Sequence, residues 1–297
     1  MMAVNTKIVV LSRFGNLYST RRLLQAIATR GMEPLLLAPE QCLLSLNGQH
    51  AELYVNGEVL PHCAAVIPRI GGPITALGAR LLRYFAGAGT LCLNGAGALQ
   101  LARDKFASLQ VLVAAGIAVP QTLYFTDARQ REAALEMLGT PLVHKLLHGS
   151  QGVGVSLADS PMAARGMLDT FLSLQHEAMI QQYLPGRQDV RVIVLFGKVM
   201  AAMIRESPAE DFRSNLHCGG RARAWSDLPD TWADAARKAA IALGLDFAGV
   251  DLMADADQNP LVLEVNPSPS LEGVEKTTGI PIAEEIVTAL QARLASA

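Results

Sequence analysis

The most constraining stretch of the chain is Gly249-Val250-Asp251-Leu252-Met253, followed by Leu261-Val262-Leu263-Glu264-Val265-Asn266. Both segments are short and rich in β-branched or apolar residues. The polar run from Asp255 to Asn259 between them has the composition of a turn, so together they predict an antiparallel hairpin. If the hairpin is symmetric about that turn, Asp251 lies opposite Glu264 and Gly249 opposite Asn266. Alternation then puts Glu264 and Asn266 on one face, with Leu263 and Val265 on the other. Like charges directly across a ladder repel, so two facing carboxylates require a cation between them. Two carboxylates and one amide carbonyl are hard oxygen ligands, suited to magnesium that completes its octahedron with phosphate oxygens. The competing reading is a pair of exposed carboxylates on a sheet edge, and the apolar neighbours and aligned Asn266 weigh against it.

Lys145 is the second informative position. It sits inside the apolar run Pro141–Leu147, just before a glycine-rich turn that carries Gly149, Ser150, Gln151, Gly152 and Gly154. A lysine at the end of a buried strand can simply extend its ammonium to the surface. Beside a glycine loop it acquires another use, because glycines let backbone N–H groups approach phosphate oxygens while the lysine supplies a compact positive charge. Such a loop should close over phosphates when they are present. The third position is Arg213-Ser214-Asn215 with Gly219-Gly220. Arginine and asparagine two apart can reach a phosphoryl group and an anionic substrate from one side, although a plain surface loop has the same composition.

The remainder of the chain limits the setting. With 297 residues, 51% hydrophobic and 18% charged, it can build a large core and has the length of about two domains. A net charge of -2 leaves no basic surplus for direct nucleic-acid binding. Cys42, Cys63, Cys92 and Cys218 form no C-x-x-C pair and read as reduced, mostly buried thiols. Met1 to Asn5 lack a signal-peptide pattern, and no stretch approaches the ~18 apolar residues of a membrane span, so a soluble cytoplasmic protein is expected.

Strands at Lys7–Leu11, Pro34–Ala38, Ala64–Ile67 and Leu91–Leu93 alternate with helices at Tyr18–Arg30 and Ala76–Ala88, which predicts an open parallel α/β sheet. Asn56-Gly57 predicts a tight hairpin between Leu53–Val55 and Val59–Leu60. The middle of the chain reads as a helix at Asp104–Ala115, a strand at Gln121–Phe125, a helix at Ala128–Leu138 and a strand at Leu142–Leu147. A strand at Val153–Leu157, a helix opened by Ser160-Pro161 and a strand at Met179–Tyr183 follow. The last third reads as a hairpin of Asp189–Phe196 and Lys198–Ser207 turning at Gly197, a helix at Thr231–Leu243, the two strands described above and a closing helix at Ile282–Ala295. Ser12-Arg13-Phe14-Gly15 after the first strand is not a G-x-G-x-x-G turn, and no P-loop occurs. A dinucleotide fold and a Walker ATPase are therefore disfavoured.

The ordered set Asp104-Lys105, PLVHKLLHGSQGVGV, QQYLPGRQDVR, EDFRSNLHCGG, AGVDLM and LVLEVNPSPSLEGVEKTTGI resembles the RimK-type ATP-grasp ligases. LSRFGNLYSTRRL and AVIPRIG extend the likeness over essentially the whole chain. The resemblance implies an α/β (α+β) ATP-grasp fold: a parallel α/β pre-ATP-grasp domain over 1–97, a central subdomain over 98–184 and a C-terminal subdomain with the metal site over 185–297. It also implies an ATP-dependent carboxylate–amine ligase that works through an acyl phosphate and adds L-glutamate to the C-terminal carboxylate of a protein or peptide. ATP and two Mg2+ (or Mn2+) ions would be its cofactors, and a homo-oligomer its assembly. By position, Lys105 and Lys145 match lysines that contact ATP phosphates, and Gly149–Gly154 the loop that closes over them. Gln182 and Tyr183 match the adenine segment, Asp189 the ribose ligand, and Arg213, Ser214 and Asn215 the nucleotide and substrate contacts, with Lys145, Arg213 and Asn215 catalytic. Asp251, Glu264 and Asn266 match the metal ligands. The chain departs from the pattern at Gln182 (usually Glu), Cys218 (usually Arg), Ser270 (usually Gly), and His144 and His148 beside the lysine. Alternatives within the likeness are a small-molecule, carrier-protein or coenzyme acceptor, or a silent ATP-binding regulator.

Overall fold

The computed structural model describes residues 6–147, 154–174, 178–208 and 220–296. The chain opens with β1 (Lys7–Leu11), α1 (Tyr18–Thr29) and β2 (Glu33–Leu37). The first helix stops where Gly31 takes φ 72°, a left-handed position that glycine occupies without strain. Next come β3 (Cys42–Asn47), β4 (His50–Val55), β5 (Glu58–Val59), β6 (Ala65–Pro68), α2 (Thr75–Gly87), β7 (Leu91–Cys92), α3 (Ala96–Arg103) and α4 (Lys105–Ala114). The expected parallel sheet forms in the order β2-β1-β6-β7. Both of its faces are covered: Val9, Leu11 and Val66 pack with Leu81, Leu82 and Phe85 of α2, and Ile8, Val10 and Ile67 pack with Leu23 and Ile27 of α1. Asn56 (φ 54°) and Gly57 (φ 85°) make the hairpin turn. That hairpin gains a third strand that the sequence pattern does not announce, because Leu43 and Leu46 of β3 point outward and are exposed.

The middle of the chain supplies β8 (Thr122–Tyr124), α5 (Arg131–Leu138), β9 (Leu142–Leu146), β10 (Val155–Ala158), α6 (Pro161–Ser173) and β11 (Ala178–Gln182). Its strands form a sheet in the order β10-β9-β11-β8, with Leu142 and Ile180 packed under Leu135 of α5 and Leu168 of α6. Ser160 caps α6 by accepting from the Ala163 N–H at 3.3 Å, and Pro161 fills its first turn.

The last third contains β12 (Gln188–Leu195), β13 (Lys198–Glu206), β14 (Arg221–Ala224), α7 (Asp230–Ala242), β15 (Phe247–Ala254), β16 (Pro260–Asn266), α8 (Leu271–Thr278) and α9 (Ile282–Ser296). Its sheet order is β14-β13-β12-β15-β16. One face, with Val190, Val192, Val194, Val250 and Val265, is apolar throughout and packs on Trp232, Ala236 and Ala239 of α7. The other face is divided. Ile193, Ala201, Met203 and Phe247 pack with Leu271 and Val274 of α8 and with α1, whereas Asp189, Arg191, Arg205, Asp251 and Glu264 occupy the rest. Among the described residues, no helix is long and apolar enough to cross a membrane.

Two polar residues fasten the first sheet to the last. Asn94 is buried; its Nδ2 donates to the carbonyls of Phe247 and Pro267, both at 2.8 Å, and its Oδ1 accepts from the Phe247 N–H at 3.0 Å. Glu275 of α8 accepts from the Tyr18 hydroxyl at 2.8 Å, from Arg22 Nε at 3.2 Å and from the Ala283 N–H at 2.8 Å. Asn94→Ala leaves the Phe247 N–H without that acceptor inside the protein. It is expected to lower stability by about 2–3 kcal/mol, measured as a fall in the urea midpoint at unchanged slope.

Candidate active site

The hairpin of β15 and β16 has the expected register near the site, with Asp251 opposite Glu264 and Gly249 opposite Asn266. Beyond Asp251 the pairing shifts, Leu252 faces Val262, and Leu263 is the extra residue of a bulge. This corrects the simple alternation: Val262 and Val265 enter the core, while Leu263 is only half-buried. Asn266 Nδ2 donates to Glu264 Oε1 at 2.7 Å and reaches Asp251 Oδ2 at 3.5 Å, so the three expected metal-ligand side chains meet. Asp251 is 4% exposed, which excludes a solvated edge carboxylate.

Asp251 already faces cations of the protein's own, and in this respect the sequence reading was incomplete. Arg191, its neighbour across the ladder, donates from Nη2 to Oδ2 at 2.7 Å and also bonds through Nε, while Arg205 Nη2 lies 3.0 Å from Oδ1. Arg205 also grips Asp189, with Nε–Oδ1 at 2.7 Å and Nη2–Oδ2 at 2.5 Å. Burial raises the Asp251 pKa, but the two guanidiniums outweigh it and the net shift is downward. Both arginines were missed, yet the signal was available. Asp189 and Arg191 stand two apart on one strand face, and a turn at Phe196-Gly197 brings Arg205 opposite Asp189. Gly249 makes room for this arrangement, since a Cβ there would lie 2.7 Å from Pro269 Cβ and 3.1 Å from Arg191 Cδ.

Lys145 stands on the face of β9 that also carries Met179 and Gln181 of β11. Its Nζ donates to Gln181 Oε1 at 2.5 Å, and Gln181 Nε2 donates to Thr122 Oγ1 at 2.8 Å, which aims the ammonium. Burial lowers the Lys145 pKa to about 8; Glu264 and Asp251 raise it, and Lys105 lowers it further. Lys105 opens α4, whose N-terminus is capped by Asp104 accepting from the Ala107 N–H at 2.9 Å. Burial lowers its pKa too, opposed by Glu264. Two lysines from separate elements thus share the field of one carboxylate. Gly154 returns the chain beside Lys145 at φ 77°, where any Cβ would lie 2.7 Å from Leu146 Cδ1.

Gln182 is exposed at the end of β11 and Tyr183 half-buried beyond it, while Gln181, not singled out from sequence, is the residue that touches Lys145. His144 does not flank the lysine's site. It occupies the opposite face of β9, buried 5.8 Å from the Phe171 ring, and burial alone lowers its pKa to about 4. Gly149, Ser150, Gln151, Gly152, Arg213, Ser214 and Asn215, with His148 and Cys218, lie outside the described residues.

Residues 6–99 match the RimK PreATP-grasp domain and residues 102–290 the RimK-like ATP-grasp domain. The chain belongs to the RimK-like ATP-grasp family. It is 43% identical over 286 residues to a probable alpha-L-glutamate ligase of Enterobacter sp. (strain 638), covering 95% of this chain and 94% of that one. It is also 43% identical over 284 residues to the ribosomal protein bS6–L-glutamate ligase of Escherichia coli O81 (strain ED1a), with the same coverage of both chains. Among solved structures it resembles the ATP-grasp ligase PsnB complexed with minimal precursor, with TM-score 0.78 and 25% identity over 98% of this chain and 100% of that chain. The donor set of this RimK-like ligase fits a hard divalent cation, since Asp251 and Glu264 supply carboxylate oxygens and Asn266, whose Nδ2 faces them here, brings an amide oxygen to the same point when its amide turns over. Among the described residues, no cluster of three or more His, Cys, Asp or Glu offers another metal site.

Proposed function

We propose that this ATP-grasp ligase joins L-glutamate to the C-terminal carboxylate of a protein or peptide. The convergence of Lys105, Lys145, Asp251, Glu264 and Asn266 carries the phosphoryl-transfer half of this reading. The glutamate half is supported by the names of the relatives that are 43% identical. Asp251, Glu264 and Asn266 would hold Mg2+, or Mn2+, as one or two ions. Such an ion, when bound, neutralises charge on the phosphate oxygens. Lys145, aimed by Gln181, and Lys105 set positive charge against the transferring phosphoryl group. Gly149, Ser150, Gln151, Gly152 and Gly154 would close over it. Gln182 and Tyr183 would meet the adenine, and Asp189, its carboxylate oriented by Arg205, the ribose. Arg213, Ser214 and Asn215 would contact phosphate and substrate.

The substrate carboxylate attacks the γ-phosphorus and ADP leaves. The amine then adds to the acyl carbon, loses a proton and expels phosphate. No side-chain nucleophile takes part. An acceptor labelled with a heavy oxygen isotope in its terminal carboxylate should therefore pass one labelled oxygen to the released phosphate, with the product one glutamyl residue heavier. Unlabelled phosphate beside a formed amide would end the acyl-phosphate route, and an unchanged acceptor mass would end the glutamate reading.

A further inference from the structure

Arg69 and Arg103 are half-buried cations whose guanidiniums have buried donors left over. Arg69 Nη2 donates to the Pro269 carbonyl at 2.7 Å and Arg103 Nη2 to the Ile70 carbonyl at 2.5 Å. Arg69 Nε and Nη1 and Arg103 Nε are buried and, among the described residues, have no hydrogen-bond partner. A buried guanidinium with unused N–H groups is costly to leave so, and a bound anion removes that cost.

Their position indicates which anion. Arg69 directly follows the strand β6 of the first sheet, and the neighbouring Pro68 carbonyl, at the strand's end, accepts from Ser268 Oγ at 3.4 Å. Pro269, which Arg69 holds, lies against Gly249, the ladder partner of Asn266. Arg103 is close enough to Glu264 for that carboxylate to raise its pKa against the larger lowering by burial. Burial lowers the Arg69 pKa to about 10, and the charge of Arg103 adds to the fall. The pair therefore adjoins the Glu264–Asn266 end of the site, Arg69 from just past β6 and Arg103 from the end of α3, whereas Lys145 enters from β9 and Lys105 from α4.

We infer that Arg69 and Arg103 bind the unreacted α-carboxylate of the incoming amino acid, the group that becomes the new C-terminus. This rests on the ligase reading above and adds the recognition of its amine substrate. The acceptor's terminal carboxylate is consumed at the phosphoryl group, so the only main-chain terminal carboxylate that persists through the reaction is the α-carboxylate of the amine substrate. Fixing it one carbon away from the amine holds the nitrogen in reach of the acyl carbon.

The test is ADP release with a peptide acceptor and each proteinogenic L-amino acid, followed by comparison of the active amino acid with its α-carboxamide. The wild-type enzyme should prefer the free carboxylate by at least about tenfold. Arg69→Gln and Arg103→Gln should each raise the amino-acid KM by roughly tenfold or more and erase that preference, while the Kd for ADP stays within about twofold. Thermal melting checks folding, and Arg69→Lys, which keeps the charge, should retain part of the preference if the glutamine variant does not fold. An undiminished preference in the folded variants overturns the inference. So does a loss of ADP affinity at unchanged amino-acid KM, which would make this a phosphate site. Release with an amino acid other than glutamate ends the glutamate reading and leaves the pair to be judged on that amino acid, and release with none overturns both.

Discussion

Glu264→Gln is expected to lower turnover by about a thousandfold with little change in the melting temperature. Glu264 is half-buried and its carboxylate accepts from Asn266 Nδ2, so the amide keeps the shape and the carbonyl acceptor. What it loses is the charge that faces Lys105, Lys145 and Arg103 and that a divalent cation requires. Asp251→Asn should be as damaging to activity but also destabilising, by about 3 kcal/mol, because it leaves Arg191 and Arg205 short of a buried counter-charge. ADP release together with urea unfolding separates the two variants. Full activity in Glu264→Ala would remove this hairpin from the mechanism.

Lys145→Met should abolish turnover and yet stabilise the protein at neutral pH. The folded pKa of Lys145 is about 8, below its unfolded value of 10.5, because burial penalises the charged form. A lysine with a lowered folded pKa destabilises the fold fully below the folded value. That penalty is relieved as pH rises from about 8 towards the unfolded value. Methionine fills the same strand position without the charge. Phosphate binding needs the charged ammonium, so the affinity for ADP with magnesium should fall as pH rises through about 8 and binding should take up protons there. The groups acting on it are Glu264 and Asp251, which favour the proton, and Lys105, which disfavours it. Calorimetry in buffers of different ionisation enthalpy measures the proton count. A nucleotide affinity that stays flat through this range, or a methionine variant less stable than wild type at neutral pH, would refute the account.

Local pattern was enough to read most of the fold. Lys7–Leu11 is a continuous apolar run because both faces of its sheet are covered, and Asn56-Gly57 admits few turns other than the one observed. Strand β3 was not legible, since Leu43 and Leu46 face outward and break the expected alternation. Helices α3 and α8 were hidden because Ala96–Arg103 lies directly before the next helix and Leu271–Thr278 follows a proline-rich turn. At the site, the ladder across Asp251 and Glu264 could be counted from the turn, but the bulge at Leu263 could not, because one extra residue leaves no mark on composition. The Asp189–Arg205 pair could be counted from the turn at Phe196-Gly197, whereas the roles of Arg191, Gln181 and Asn94 are set by pairing between segments that lie farther apart in sequence. Alternation also places His144 behind the sheet rather than beside the nucleotide lysine, although adjacency in sequence suggests otherwise.

The joint between the first and last sheets has a consequence for modularity. Ile8, Val10, Leu23 and Ile27 share one apolar core with Met203, Phe247, Leu271, Ile282, Ile286 and Leu290. Glu275, in the EKTTGI stretch of family-signature sequence, anchors Tyr18 and Arg22 to that core. The two family segments are therefore not interchangeable cartridges. A chimaera that grafts a foreign leading segment onto residues 102–290 must carry the α1 surface that fits α8 and α9, or it strands an oily helix in water. The seam between the leading segment and α8 and α9 is then expected to change only as one piece.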